Sequence, residues 1–126
     1  MKTSRIYRTW KSRLALAGLV LIAASASAAP ARIFVLSAED WARPLSDEVI
    51  VEFDAVRAAV DYWGRTPQAL ILVRYPGEDS GEIWAAELRD WLISLGVPSD
   101  YIRLAAGNQE ADEIRMVVGE RAELEQ

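Results

Sequence analysis

The sequence predicts an α/β (α+β) two-layer sandwich in which two helices cover one face of a four-stranded mixed sheet. Three observations predict it. Four short apolar segments carry strand patterning, two longer segments repeat their apolar residues at helical spacing, and turn residues separate them in the order β-α-β-α-β-β. Strands joined through helices imply parallel neighbours made by right-handed crossovers, and the last two strands are free to pair antiparallel or to make the sheet mixed.

"ARIFVL" (Ala31 to Leu36) is short, β-branched and aromatic, and reads as the first strand. "SAEDWARPLSDE" reads as a connection, with Pro44 as breaker and Ser46 as candidate helix cap. Val49, Phe53, Val56, Val60 and Trp63 then recur at spacings of 4, 3, 4 and 3, the stripe of an amphipathic helix. The β-branched triple Val49-Ile50-Val51 moves the expected start of that helix towards Phe53, and Gly64 with Pro67 should end it. "ALILVRY" (Ala69 to Tyr75) is an almost unbroken apolar run between two prolines and suits a central strand. Trp84, Leu88, Trp91, Leu92 and Leu95 mark the second helix, stopped by Gly96 and Pro98. "YIRL" and "EIRMVV" alternate as strands do, and the charged residues 119–126 read as a frayed tail.

The first thirty residues belong to a different physical class. Lys2, Arg5, Arg8, Lys11 and Arg13 precede the apolar run Leu14 to Ala24, and a small-residue stretch follows. A basic segment, a short apolar core and an Ala-Ser-Ala site are the signature of a secretory signal peptide, with cleavage expected after Ala28. The apolar core is too short to span a bilayer as a helix, so no stable membrane insertion is expected after cleavage. The expected organisation is thus a signal peptide over 1–28, one domain over 29–118 and the tail over 119–126, in the periplasm. The sequence contains no cysteine, so the fold must rest on its core rather than on disulfides.

Cleavage would leave nine basic against nineteen acidic residues, a net charge of −10 with no lysine. That argues against nucleic acid or an anionic membrane as partner, because both reward clustered cations. The chain also lacks histidine, which removes the commonest general base and, with cysteine, the usual transition-metal ligands. Its serines lie in no nucleophile elbow. No catalytic residue, metal site or cofactor is expected, and the protein is read as a non-enzyme.

Two places remain as candidate sites. "GEDSGE" brings Glu78, Asp79 and Glu82 into one strand-to-helix turn. The turn either binds a cationic group through Glu78 and Asp79, or is a solvated bend in which Asp79 or Ser80 caps the helix and Gly77 and Gly81 give the backbone its freedom. Trp41 lies in a connection without periodicity, where an aromatic either plugs the core edge or marks a contact surface. Trp63, Trp84 and Trp91 sit on apolar helical stripes and read as core.

Residues 45 to 118 resemble the OmpA-like, peptidoglycan-associated domain. The second helix of that family carries an R-A-x-x-V-x-x-x-L-x-x-x-G-[IV] run followed by R-[IV] and a strand. Ala85, Leu88, Leu92, Gly96-Val97 and Arg103 fall at matching positions here, as do Phe53, Val56 and Val60 of the first helix. In the family a G-H-T-D-type strand end supplies an Asp which, with the Arg of the helix motif, holds the diaminopimelate of the wall peptide. The resemblance puts Glu78 or Asp79 at the Asp position and Trp84 at the Arg position, with a shorter loop between. It therefore implies an OmpA-like fold with a degenerate ligand site, acting as an envelope accessory or protein-interaction domain. An unknown envelope protein is the expected partner, and weak or altered peptidoglycan binding is the alternative.

Overall fold

The structure, a computed structural model, describes residues 29–125. The expected signal peptide, residues 1–28, lies outside the described residues. Strand β1 (Arg32–Ser37) runs directly into a short helix α1 (Ala38–Trp41), because the Ser37 hydroxyl accepts the Asp40 N–H at 3.1 Å. Ser46 caps the next short helix, α2 (Asp47–Ile50), in the same way through the Val49 N–H at 3.4 Å. These two turns occupy what the sequence presents as a connection and the run-in to the first long helix. The β-branched Val51 falls at the break, and α3 (Asp54–Arg65) begins one residue after Phe53.

Gly64 does not end α3 but lies inside its last turn. The chain leaves the helix at Thr66, whose hydroxyl donates to the Tyr62 carbonyl at 2.7 Å, and Pro67 blocks continuation. Gln68, at a left-handed φ of 60°, turns the chain into β2 (Ala69–Tyr75). Helix α4 (Asp79–Ser94) closes with a Schellman pair of bonds. Val97 N–H donates to the Leu92 carbonyl and Gly96 N–H to that of Ile93, both at 3.0 Å, with Gly96 at φ 103°. A 3-10 turn (Ser99–Tyr101) then leads into β3 (Ile102–Ala106), followed by β4 (Glu113–Glu120) and a last helical turn, α5 (Arg121–Leu124).

The four strands form one mixed sheet in the order β1-β4-β2-β3. Only β2 and β3 are parallel neighbours; β4 lies antiparallel between β1 and β2. The expected adjacency of the first two strands is thus replaced by the insertion of the last one. The link from β3 to β4 makes this possible by crossing the end of β2, where Gly107 and Asn108 both donate their N–H to the Tyr75 carbonyl at 3.1 Å. Gly107 adopts φ 107°, which a side chain would resist.

One face of the sheet carries the core. Leu36, Ile71, Val73, Ile102, Ile114, Met116 and Val118 pack against Val56 and Ala59 of α3 and Ala85, Leu88 and Leu92 of α4. Both long helices therefore cover the same face, giving the two layers. Within the expected tail, residues 119–124 carry regular structure. Gly119 and Glu120 belong to β4, and α5 folds back against β4 and β2.

Candidate functional site

Pro76 terminates β2, and Glu78, not Asp79 or Ser80, is the N-cap residue of α4. Its carbonyl receives the N–H groups of Gly81 at 2.9 Å and Glu82 at 3.2 Å, while its side chain makes no capping bond. Glu78, Asp79 and Glu82 are all exposed. Carboxylates in a first turn face the positive end of the helix dipole, which accounts for their presence without a ligand. Gly77 has open space around its α-carbon, whereas a side chain at Gly81 would collide with the Pro76 carbonyl. Gly81 is there for close approach, and it holds the first turn of α4 against the end of β2.

Trp84 stands one turn further on. It is half-buried against the core, so the position that the resemblance assigns to an arginine holds an apolar ring instead. Glu78 and Asp79 come together at one turn as the sequence predicts, and the residue paired with them in the OmpA-like pattern has no charge.

Trp41 is inside. It is 5% exposed, and its ring sits 6.5 Å from that of Phe53. Of the two readings open for it, the side chain takes the core one, and it presents no contact surface. Its Nε1 is the only buried side-chain polar atom without a hydrogen-bond partner among the described residues. Trp63 and Trp91 are half-buried against the core, and Trp63 Nε1 donates to the Ala69 carbonyl at 2.9 Å.

The face of the sheet opposite the helices is a feature that no single segment announces. Alternation along each strand turns Ile33 and Val35 of β1, Arg115 and Val117 of β4, Leu72 and Arg74 of β2, and Arg103 of β3 towards it. The register aligns them in two rows. Ile33, Val117, Leu72 and Arg103 lie side by side across the four strands, and Val35, Arg115 and Arg74 lie side by side two residues further along. Ile33 is 59% and Val35 45% exposed. A side chain at Gly119 would meet Ala31 and approach the Glu123 carboxylate, so α5 closes the near end of this face; beyond it Ile33, Val35 and Arg74 are exposed, Val117 and Arg115 are half-buried, and Leu72 is buried.

Charge is distributed unevenly on it. Glu113 is the one acidic strand residue on this side, and it is bound to Arg115 through a carboxylate–guanidinium contact of 2.7 Å. Arg103 donates to the carbonyls of Asp100 and Ile102 at 3.0 and 3.1 Å. Arg74 is exposed and forms no ion pair among the described residues. The signal for this face lay in the sequence as single arginines at alternate positions of "ALILVRY", "YIRL" and "EIRMVV", and only the register brings them together.

A separate cleft of about 930 Å³ lies at the other end of β2 from the acidic turn, lined by Pro67, Gln68, Leu70, Tyr101, Glu120 and Arg121 among others. It is open and shallowly charged, with Arg121 turned towards Glu125 at 3.5 Å. Among the described residues no three His, Cys, Asp or Glu side chains stand close enough to hold a metal ion, and no helix is long and apolar enough to cross a membrane.

No family model matches this sequence, and no curated protein matches it.

Proposed function

We propose that the chain is an exported, non-catalytic module of the cell envelope, built on an OmpA-like plan, which works by binding another protein through the open face of its sheet. The observation that carries this reading is that face: among the described residues Ile33 and Val35 are exposed and Arg74 forms no ion pair, and all three lie on the side of the sheet opposite the long helices. The export half rests on the basic and apolar pattern of residues 1–28. A photo-crosslinking residue placed at Ile33, on the sheet face, or at Glu87, on the helical side, tests the reading in living cells. A discrete adduct from position 33 and none from position 87 is expected; adducts from neither, or equally from both, would overturn it.

The alternative is altered peptidoglycan binding through Glu78 and Asp79, and their shared exposure at the turn favours it. A carboxylate can grip an ammonium group, but gripping a zwitterion also needs a cation, and Trp84 stands at that position. Sedimentation of the protein with purified sacculi, with and without Glu78→Ala/Asp79→Ala, decides between them. Little binding by either protein is expected.

A further inference from the structure

We infer that the open sheet face receives an acidic amphipathic helix of a partner protein, with its apolar stripe on Ile33, Val35 and Val117 and its carboxylates on Arg74, Arg115 and Arg103. This rests on the reading of the chain as a protein-interaction module and specifies the chemistry of the partner.

The dimensions favour a helix. From Val35 of β1 to Arg74 of β2 the strip crosses two strand spacings, about 10 Å at roughly 4.8 Å each. An α-helix with its side chains is about 10–12 Å wide. One helix laid along the strands therefore covers the strip that α5 leaves open, and would turn two layers into three. A sheet with helices on both faces is a stable architecture in its own right.

The charges select the sign of the partner. Arg74 and Arg115 are register partners across the β2–β4 ladder, and Arg103 lies diagonally from Arg74 on the neighbouring strand. Like charges directly opposite one another in a ladder are unfavourable, and Glu113 neutralises only one of the pair. A carboxylate brought in from outside would relieve this, and it would meet Arg74 without having to break an existing ion pair.

The same charges exclude other occupants. Two copies stacked face to face would place arginine against arginine. The leader of this chain, residues 1–28, is basic and is repelled in the same way. An extended anionic surface, whether lipid or polynucleotide, is opposed by the net negative charge of the whole chain. A single narrow helix meets chiefly the arginines of the strip.

The test uses the full-length protein and a fluorescent amphipathic peptide, with leucines at helical spacing and glutamates flanking them. The same peptide with lysine in place of glutamate, and vesicles of anionic lipid, serve as the other arms. Binding of the glutamate peptide is expected, weakened roughly tenfold or more by Arg74→Glu and reduced by added salt. Arg74→Glu faces Arg115 across the ladder and should fold; Ile33→Gln, at an exposed position, is the second variant and should also weaken binding. Binding of the glutamate peptide that neither variant changes, equal binding of the lysine peptide, preference for vesicles, or no binding at all would each overturn the inference. A position-33 adduct in cells combined with peptide failure would reject the acidic helix while leaving the interaction module standing.

Discussion

Arg74 and Arg115 face one another directly across the β2–β4 ladder on the uncovered side of the sheet, and a single carboxylate, Glu113, is bound to Arg115 alone. Pairs of this kind work against the fold by a few tenths to about 1 kcal/mol. The arrangement has a measurable consequence. Arg74→Gln should leave stability to urea unchanged or raised, whereas Glu113→Gln should lower it by about 0.2–1 kcal/mol. The loss in Glu113→Gln should shrink in high salt, which screens the two arginines from each other. A loss of stability in Arg74→Gln would contradict the repulsion.

Leu88 and Trp84 lie one turn apart on α4, and burial separates them. Leu88 has no exposed surface, while Trp84 is half-buried. Leu88→Ala should cost roughly 2–5 kcal/mol. Trp84→Ala should cost roughly 2 kcal/mol, below the 3–5 kcal/mol of a fully buried tryptophan, because part of the ring already meets water. Urea unfolding of the two variants checks the order.

Two glycines of the acidic turn should respond in opposite ways. Gly77→Ala meets open space and should be neutral or slightly stabilising. Gly81→Ala would gain up to about 1 kcal/mol of helix propensity, yet the new methyl group collides with the Pro76 carbonyl. Net destabilisation is expected for Gly81→Ala, since the obstacle is backbone. Thermal melts of both variants decide it.

Trp41 carries an unsatisfied buried N–H, which costs about 1–3 kcal/mol in a protein interior. Trp41→Phe removes that donor while leaving a smaller void than alanine would. It should therefore fall within about 1 kcal/mol of the parent, while Trp41→Ala loses roughly 3–5 kcal/mol. A large loss in Trp41→Phe would mean that the indole is held by a partner through its nitrogen.

The elements were legible where one segment carries its own pattern. Ala69–Tyr75 reads as a strand to the residue, and Gly96 marks the end of α4 because only a left-handed residue closes a Schellman pair. Gly64 misled because glycine is tolerated inside a helix, and the stop there belongs to Thr66 and Pro67. The strand order was not legible. It depends on Gly107 and Asn108 reaching the Tyr75 carbonyl, a long-range contact with no periodic trace. For the same reason the arginine face is hidden in the sequence while the acidic turn stands out. Adjacent charges are visible in a line of letters, whereas charges gathered by register are not.

The position of β4 between β1 and β2 has a kinetic meaning. The strand that bridges the sheet is the last of the four in sequence, so β1 and β2 lack their common neighbour until Glu113–Glu120 have emerged. A nascent chain short of that point holds at most the parallel pair β2–β3 of the sheet and lacks the core residues Ile114, Met116 and Val118. Loop closure over such a separation is slow compared with local helix formation. If the chain is exported as proposed, a topology completed only by its last strand would favour the unfolded state that threading through a translocation channel requires.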